Sequence, residues 1–275
     1  MRSVWQRTLA AVITLLPLCV VAGEAATTTS LPTIAIIIDD LGDRLHDGLR
    51  VTALPGQVTC AILPRTTYSR RLADAAFASG KEVMLHQPME ATSGRAMGPG
   101  GIDRVMDRQT MLQTLRANLE SVPHARGMNN HMGSLLTRMV EPMAWLMAAL
   151  SERKDFYFID SATAAHSIAR RIAREKSVPS MRRNIFLDNE RTEAAIMKQF
   201  IRLVVRARRD GAAIGISHPY PESVAVLEKV LPHIEEYGVR LLPVSELINH
   251  YSRQEERLWQ AFLSPSQPAA KNLKQ

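Results

Sequence analysis

Ile34-Ala35-Ile36-Ile37-Ile38-Asp39-Asp40 is the stretch that decides the fold. Five apolar residues without a polar interruption read as a short strand buried on both faces, the pattern of a parallel sheet covered by helices. Two carboxylates then end it. The same construction recurs down the chain: Val83-Met84-Leu85 runs into His86, and Gly127-Met128-Asn129-Asn130 into His131. Phe156-Tyr157-Phe158-Ile159 likewise runs into Asp160-Ser161, and Ala213-Ile214-Gly215-Ile216-Ser217 into His218. In a parallel β/α barrel the carboxyl ends of the strands converge on one mouth. Repetition makes the signal, because each polar residue alone would say little.

Outward from these runs, strand-like and helix-like segments alternate. Strands are predicted at 34–39, 58–63, 82–86, 126–130, 156–160, 185–188, 213–217 and 239–243. Helices are predicted near 42–53, 69–79, 109–121, 138–151, 164–175, 191–209, 222–236 and 245–262. Ile196, Phe200, Leu203 and Val204 follow a period near 3.6. Such alternation with right-handed crossovers predicts a parallel sheet, here a distorted parallel β/α barrel of seven or eight strands, in one domain over 33–250. The longest irregular piece, Gln87 to Asp107, follows a candidate site strand and is expected to cover the mouth.

The ends read differently. Arg2 and Arg7, the apolar run Leu9–Val21 and the small residues Gly23, Ala25 and Ala26 make residues 1–26 a secretory signal peptide. Its apolar run is about 13 residues, short of the ~20 a membrane span needs. Residues 27–32 form a Thr/Ser/Pro linker, and 251–275 a helix end and a disordered tail. The mature chain is expected to be periplasmic, without a membrane span. Of the two cysteines, Cys19 falls in the leader, so Cys60 has no internal partner and reads as a small core residue. Net charge is +7, and losing Arg2, Arg7 and Glu24 would leave +6. Much of that surplus sits on helices as solvated faces. With export and few interleaved aromatics, this argues against nucleic-acid binding.

Two acids at the end of so apolar a strand are costly without a charged partner. One is expected to bind a divalent metal while its neighbour takes a proton from water. Adjacent strand residues face opposite ways, so both can serve one site only where the strand turns, as Gly42 permits. Asp40, His86 and His131 form a candidate ligand set for zinc or a similar ion that leaves a coordination position open. Glu90 could replace one ligand if Pro88 turned it back. Asn129 and Asn130 could orient the ligands or form a turn. His218 is the candidate general acid, with Asp160 expected to orient it. Asn130, Ser134, Ser161 and Tyr220 are candidate substrate contacts. Asp188 has a weaker claim and reads as a helix cap.

On these residues the chain resembles the divergent branch of the polysaccharide deacetylases of carbohydrate esterase family 4, whose fold is the NodB-like barrel. Ile38-Asp39-Asp40-Leu41-Gly42 is similar to the family's acidic first motif, and Ile214-Gly215-Ile216-Ser217-His218 to its late motif. His86-Gln87-Pro88-Met89, Asn129-Asn130-His131-Met132-Gly133-Ser134 and His218-Pro219-Tyr220-Pro221 resemble segments of the divergent branch. The resemblance implies Asp39 as base, Asp40 as metal ligand and His218 as acid. It further implies a metal-dependent hydrolase of amide or ester bonds in an envelope carbohydrate or peptidoglycan-like substrate, foremost N-deacetylation of an amino sugar. Two departures stand out. Glu90 replaces the second histidine of the usual His-x-x-x-His, and no Arg-x-Pro-Tyr segment is present. They favour a rival expectation, a catalytically weak carbohydrate-binding protein on the same barrel. A metal hydrolase with a non-carbohydrate substrate is the third.

Overall fold

The computed structural model describes residues 31–252. The expected leader, most of the linker and the tail beyond 252 lie outside the described residues. Nine parallel-paired strands are β1 (Thr33–Leu41), β2 (Thr59–Ile62), β3 (Glu82–Met89), β4 (Ala125–Met132), β5 (Tyr157–Asp160), β6 (Ser180–Arg182), β7 (Ile185–Phe186), β8 (Ala212–Ser217) and β9 (Arg240–Leu241). Between them run α1 (Leu45–Thr52), α2 (Ser69–Ala78), α3 (Arg108–Ser121), α4 (Val140–Ser151), α5 (Ala169–Glu175), α6 (Glu193–Asp210) and α7 (Pro221–Val230). The order is β6-β5-β4-β3-β2-β1-β8-β7, with β9 added beside β1.

This is the expected parallel barrel, distorted in a definite way: the ladder does not close. β6 and β7 stand at opposite ends of the order, yet only Arg183 and Asn184 separate them in sequence. Arg183 N–H bonds the Asp160 carbonyl on one side, and Asn184 N–H bonds that of Ile214 on the other. The chain thus bridges a seam that no strand pairing spans. Two expectations on element bounds change. Ser180-Met181-Arg182, too short and polar to show periodicity, is a strand. The helix expected over 222–236 stops at Val230 and continues as a 3-10 turn, Leu231–Tyr237, where Pro232 lacks a backbone N–H.

Alternation along each strand divides the core into two layers. Ile34, Ile36, Ile38, Cys60, Ile62, Val83, Leu85 and Phe158 pack outward beneath the helices. Ala35, Ile37, Ala61, Met84, Tyr157, Ile159, Ile214 and Ile216 fill the interior. Each fully buried large aliphatic contributes about 1.5–3 kcal/mol. A helical segment at 244–252 closes the floor with Val244, Leu247 and Ile248. There the Glu82 carboxylate accepts from the Tyr157 hydroxyl at 2.8 Å and the Ser245 N–H at 3.1 Å. The inward positions of β1, β3, β4 and β8, continued past this packed interior, are Asp39, His86, Asn129, His131 and His218.

Candidate metal centre

The paired acids reach one site through a bulge. Between Ile38 and Leu41 β1 advances three residues while β2 advances two, from Cys60 to Ile62. The extra residue breaks the alternation that would otherwise point Asp39 and Asp40 apart. Asp40 takes φ 57°, in the left-handed region, a conformation that costs a non-glycine residue of order 1–3 kcal/mol and concentrates at functional sites. Gly42 completes the turn at φ +136°, where a Cβ would meet Thr66 Oγ1 at 2.3 Å.

β3 and β4 bring the imidazoles to the same place. His86 pairs in register with Asn129, and Pro88 with His131, so His131 stands one step above Asn129 on the inner face. Asp40 Oδ1 lies 3.1 Å from His86 Nε2 and 2.9 Å from His131 Nδ1, and the two nitrogens are 3.2 Å apart. His86 Nδ1 lies 2.7 Å from Asn129 Oδ1. An amide oxygen only accepts, so Nδ1 carries a proton, and it is Nε2 that faces the triad, with its lone pair free once that nitrogen is deprotonated. Asn129 Nδ2 in turn donates to Asp39 Oδ1 at 2.8 Å. Asn129 therefore links His86 to Asp39. Expected to orient the ligands or form a turn, it contacts the His86 ring.

Do these residues fit a divalent ion? Asp40 Oδ1 is buried without a properly directed hydrogen bond, despite two nitrogens within about 3 Å. Ligand bonds of about 2.0–2.1 Å place ligand atoms roughly 2.9 Å apart around a facial octahedron and 3.3 Å around a tetrahedron. The observed triangle spans that interval, and the same three residues form a possible metal-holding group. They fit. Burial opposes charge on Asp40, but the His131 and His86 imidazoles outweigh it and hold its carboxyl well below the usual range. For His86, burial is outweighed by Asp39 and Asp40, which push its pKa up to about 9. A cation there must displace that proton.

Asp39 and His218 flank the triad. Burial pushes the Asp39 carboxyl up, against the pull of His86 and His218, which makes it a stronger proton acceptor than a surface aspartate. His218 Nε2 lies 3.7 Å from Asp40 Oδ2. Its other nitrogen, Nδ1, lies 3.0 Å from Asp188 Oδ1. Asp188 Oδ2 accepts from the Ser217 and Ser223 hydroxyls and the His218 N–H, at 2.9, 2.8 and 2.6 Å. Burial of His218 is outweighed by Asp188, so the imidazole pKa is raised. Phe186 meets the ring edge-on at 5.3 Å, and Tyr220 stacks on it at 5.4 Å.

Asp188 therefore orients His218, and the expectation for Asp160 is corrected. β5 alternates with Ile159 facing inward, so Asp160 faces out. Its Oδ1 accepts from the Ala162 N–H at 2.9 Å, and its Oδ2 lies 3.9 Å from Arg182 Nε. Asp188 is not the cap of α6 either, because Thr192 Oγ1 accepts from the Ala195 N–H there. The clue was available in sequence: Asp188 closes Ile185-Phe186-Leu187 much as His218 closes its own strand. Arg183, without a role in the sequence reading, donates to the Ser161 and Ala162 carbonyls. Burial lowers its pKa, with the Asp39 carboxylate opposing that shift.

Of the candidate substrate contacts, Tyr220 packs on His218. Asn130 is buried and holds loops, accepting from Ser161 N–H and donating to the Met132 carbonyl. This corrects its reading as a substrate contact. Ser134 Oγ accepts from the Thr92 N–H at 3.0 Å, and the Ser161 hydroxyl is buried. Glu90, weighed as a ligand, instead pairs with the Arg104 guanidinium and backbone. The long loop after Gln87 is pinned from beneath, since Asn118 Nδ2 donates to Gln87 Oε1 and the Gly100 carbonyl.

The match of its sequence places this parallel β/α barrel among the polysaccharide deacetylase-like proteins. The chain belongs to the divergent polysaccharide deacetylase family, whose profile matches residues 36–248. The uncharacterized Escherichia coli K12 protein YibQ is 37% identical over 216 residues, covering 78% of this chain and 67% of YibQ. The crystal structure of uncharacterized protein ATU2773 from Agrobacterium tumefaciens C58 has a TM-score of 0.76 at 24% identity, covering 80% of this chain and 91% of that one. A family 4 pseudoenzyme from Bacillus anthracis, BA3943, shares the fold at a TM-score of 0.50 and 11% identity, over 79% and 66% of the two chains. Among the described residues no helix is long and apolar enough to cross a membrane.

Proposed function

We propose that this chain is a periplasmic metal-dependent hydrolase that removes acyl groups from an envelope carbohydrate, with the N-acetyl group of a peptidoglycan-like amino sugar as first candidate. One observation carries the reading. Three ligand atoms on Asp40, His86 and His131 close a 2.9–3.2 Å triangle between a buried carboxylate and an imidazole backed by its own carboxylate. Asp40, His86 and His131 would hold the ion, zinc first, and a divalent cation there polarises a carbonyl and acidifies water.

The chain's own residues supply the proton transfers. Asp39, with burial strengthening it as a base, takes a proton from the attacking water while Asn129 fixes its Oδ1. His218, whose protonated form Asp188 stabilises, gives a proton from Nε2 to the leaving amine or alcohol. Tyr220, stacked on His218 and covered by Arg191 at 3.6 Å, braces the imidazole at the rim of the site. The test is metal analysis of the purified chain together with acetate release from acetylated amino-sugar oligomers. Acetate release that needs Asp39 and His218 supports the proposal. Glycan binding by the metal-loaded chain without hydrolysis, across several acetylated glycans, refutes it in favour of a binding protein.

A further inference from the structure

We propose that the arginine-lined seam between β6 and β7 is a binding site for a phosphate group, carried by a lipid headgroup or free in solution. The site is separate from the metal triad and does not rest on the hydrolase reading.

Three adjoining clefts, of about 430, 290 and 410 Å³, all border Arg170 on the first turn of α5. Arg182 lines the first and third, Arg174 the second and third, and Arg206 the first. Some of this charge is answered within the protein. Arg206 pairs with Asp210, Arg171 with Glu175, and Arg182 approaches Asp160 at 3.9 Å. Arg170 and Arg174 have no acidic or hydrogen-bonding partner among the described residues. The seam thus holds more guanidinium than carboxylate.

A surplus of surface arginine is ordinarily solvated, but here part of it is not. The Nε atoms of Arg170 and Arg182 and the hydroxyl of Ser180 are buried without a hydrogen-bond partner among the described residues. A desolvated donor with no acceptor is costly. The three residues that carry them, on α5 and β6, line clefts large enough for an anion. The fold explains why they are left open. Two parallel strands joined by two residues cannot pair with each other, so β6 bonds β5, β7 bonds β8, the bridge Arg183-Asn184 bonds outward to both, and the edges facing the seam are left to side chains. A tetrahedral phosphate presents several oxygens at once and can accept from more than one guanidinium fork.

The experiment titrates the chain with inorganic phosphate by calorimetry at low ionic strength. In parallel, the chain is sedimented with phosphatidylglycerol or with phosphatidylcholine vesicles. Wild type is expected to bind phosphate, and Arg170→Gln/Arg174→Gln to bind it at least ~tenfold more weakly, the scale of one lost charge-assisted contact. Arg170→Lys/Arg174→Lys, which keeps the charge, should retain more of the binding. Capture by phosphatidylglycerol but not phosphatidylcholine vesicles, lost in the glutamine variant, assigns a headgroup. Phosphate binding without vesicle capture assigns a free phosphate. Neither arginine has a partner to lose, so circular dichroism and metal occupancy should match wild type in every variant. No binding in either arm, or equal binding by wild type and the glutamine variant, overturns the proposal.

Discussion

Replacing Asp188 by asparagine tests how the fold prepares His218. The carboxylate accepts four hydrogen bonds, three on Oδ2 and one on Oδ1. Asparagine keeps one oxygen, and the fixed His218 N–H together with two hydroxyls claims it. The amide NH2 then faces His218 Nδ1, which must give up its proton. One charge-assisted bond is lost, about 1.5–3 kcal/mol of stability. The sign with pH follows from the shifts. His218 is raised by Asp188, so its contribution is full below the unfolded value of 6.5 and lost as pH rises through the folded pKa. Asp188 is lowered, because His218 outweighs burial, so its contribution is present above 3.8 and lost as pH falls through the folded pKa. The variant's deficit should therefore be greatest between these values. Urea unfolding of chelator-treated protein should show a larger deficit at about pH 5.5 than at about pH 9. Acyl hydrolysis should fall by roughly two to four orders of magnitude with metal retained. A deficit independent of pH, or unchanged turnover, would refute the coupling of Asp188 to His218.

Further outcomes are expected at the metal centre and in the core. Alanine at Asp40, His86 or His131 should lower metal occupancy, and Asn129→Ala should weaken metal affinity roughly 10- to 100-fold by freeing the His86 ring. Glu90→Ala should leave occupancy unchanged, and elemental analysis showing the reverse would move the ligand set. Burial pushes the Cys60 thiol up to about 12, so it should resist a chromogenic disulfide reagent at neutral pH until denaturant is added. Fast reaction in the native state would contradict its place in the core. Gly127→Ala would set a Cβ 2.3 Å from the Tyr157 ring, an overpacking expected to cost about 1–3 kcal/mol. An unchanged melting temperature would show that β4 and β5 yield there.

The fold was legible in sequence because burial on both faces writes itself as uninterrupted apolar runs, and those runs mark β1, β3, β5 and β8. Their polar ends named Asp39, Asp40, His86, His131 and His218 before any geometry was known. Strand ends in a parallel barrel share a mouth, so chain position alone gathers these residues. What sequence did not decide was which parity of each strand faces inward. Asp160 and Asp188 both end apolar runs, and only the packed interior, with Ile159 inside β5, sends Asp160 outward and leaves Asp188 to His218. The β1 bulge that brings two adjacent acids to one site is likewise a product of register with β2. The seam, too, belongs to tertiary structure, since it exists because one short segment, 180–186, passes from the edge of β5 to the edge of β8.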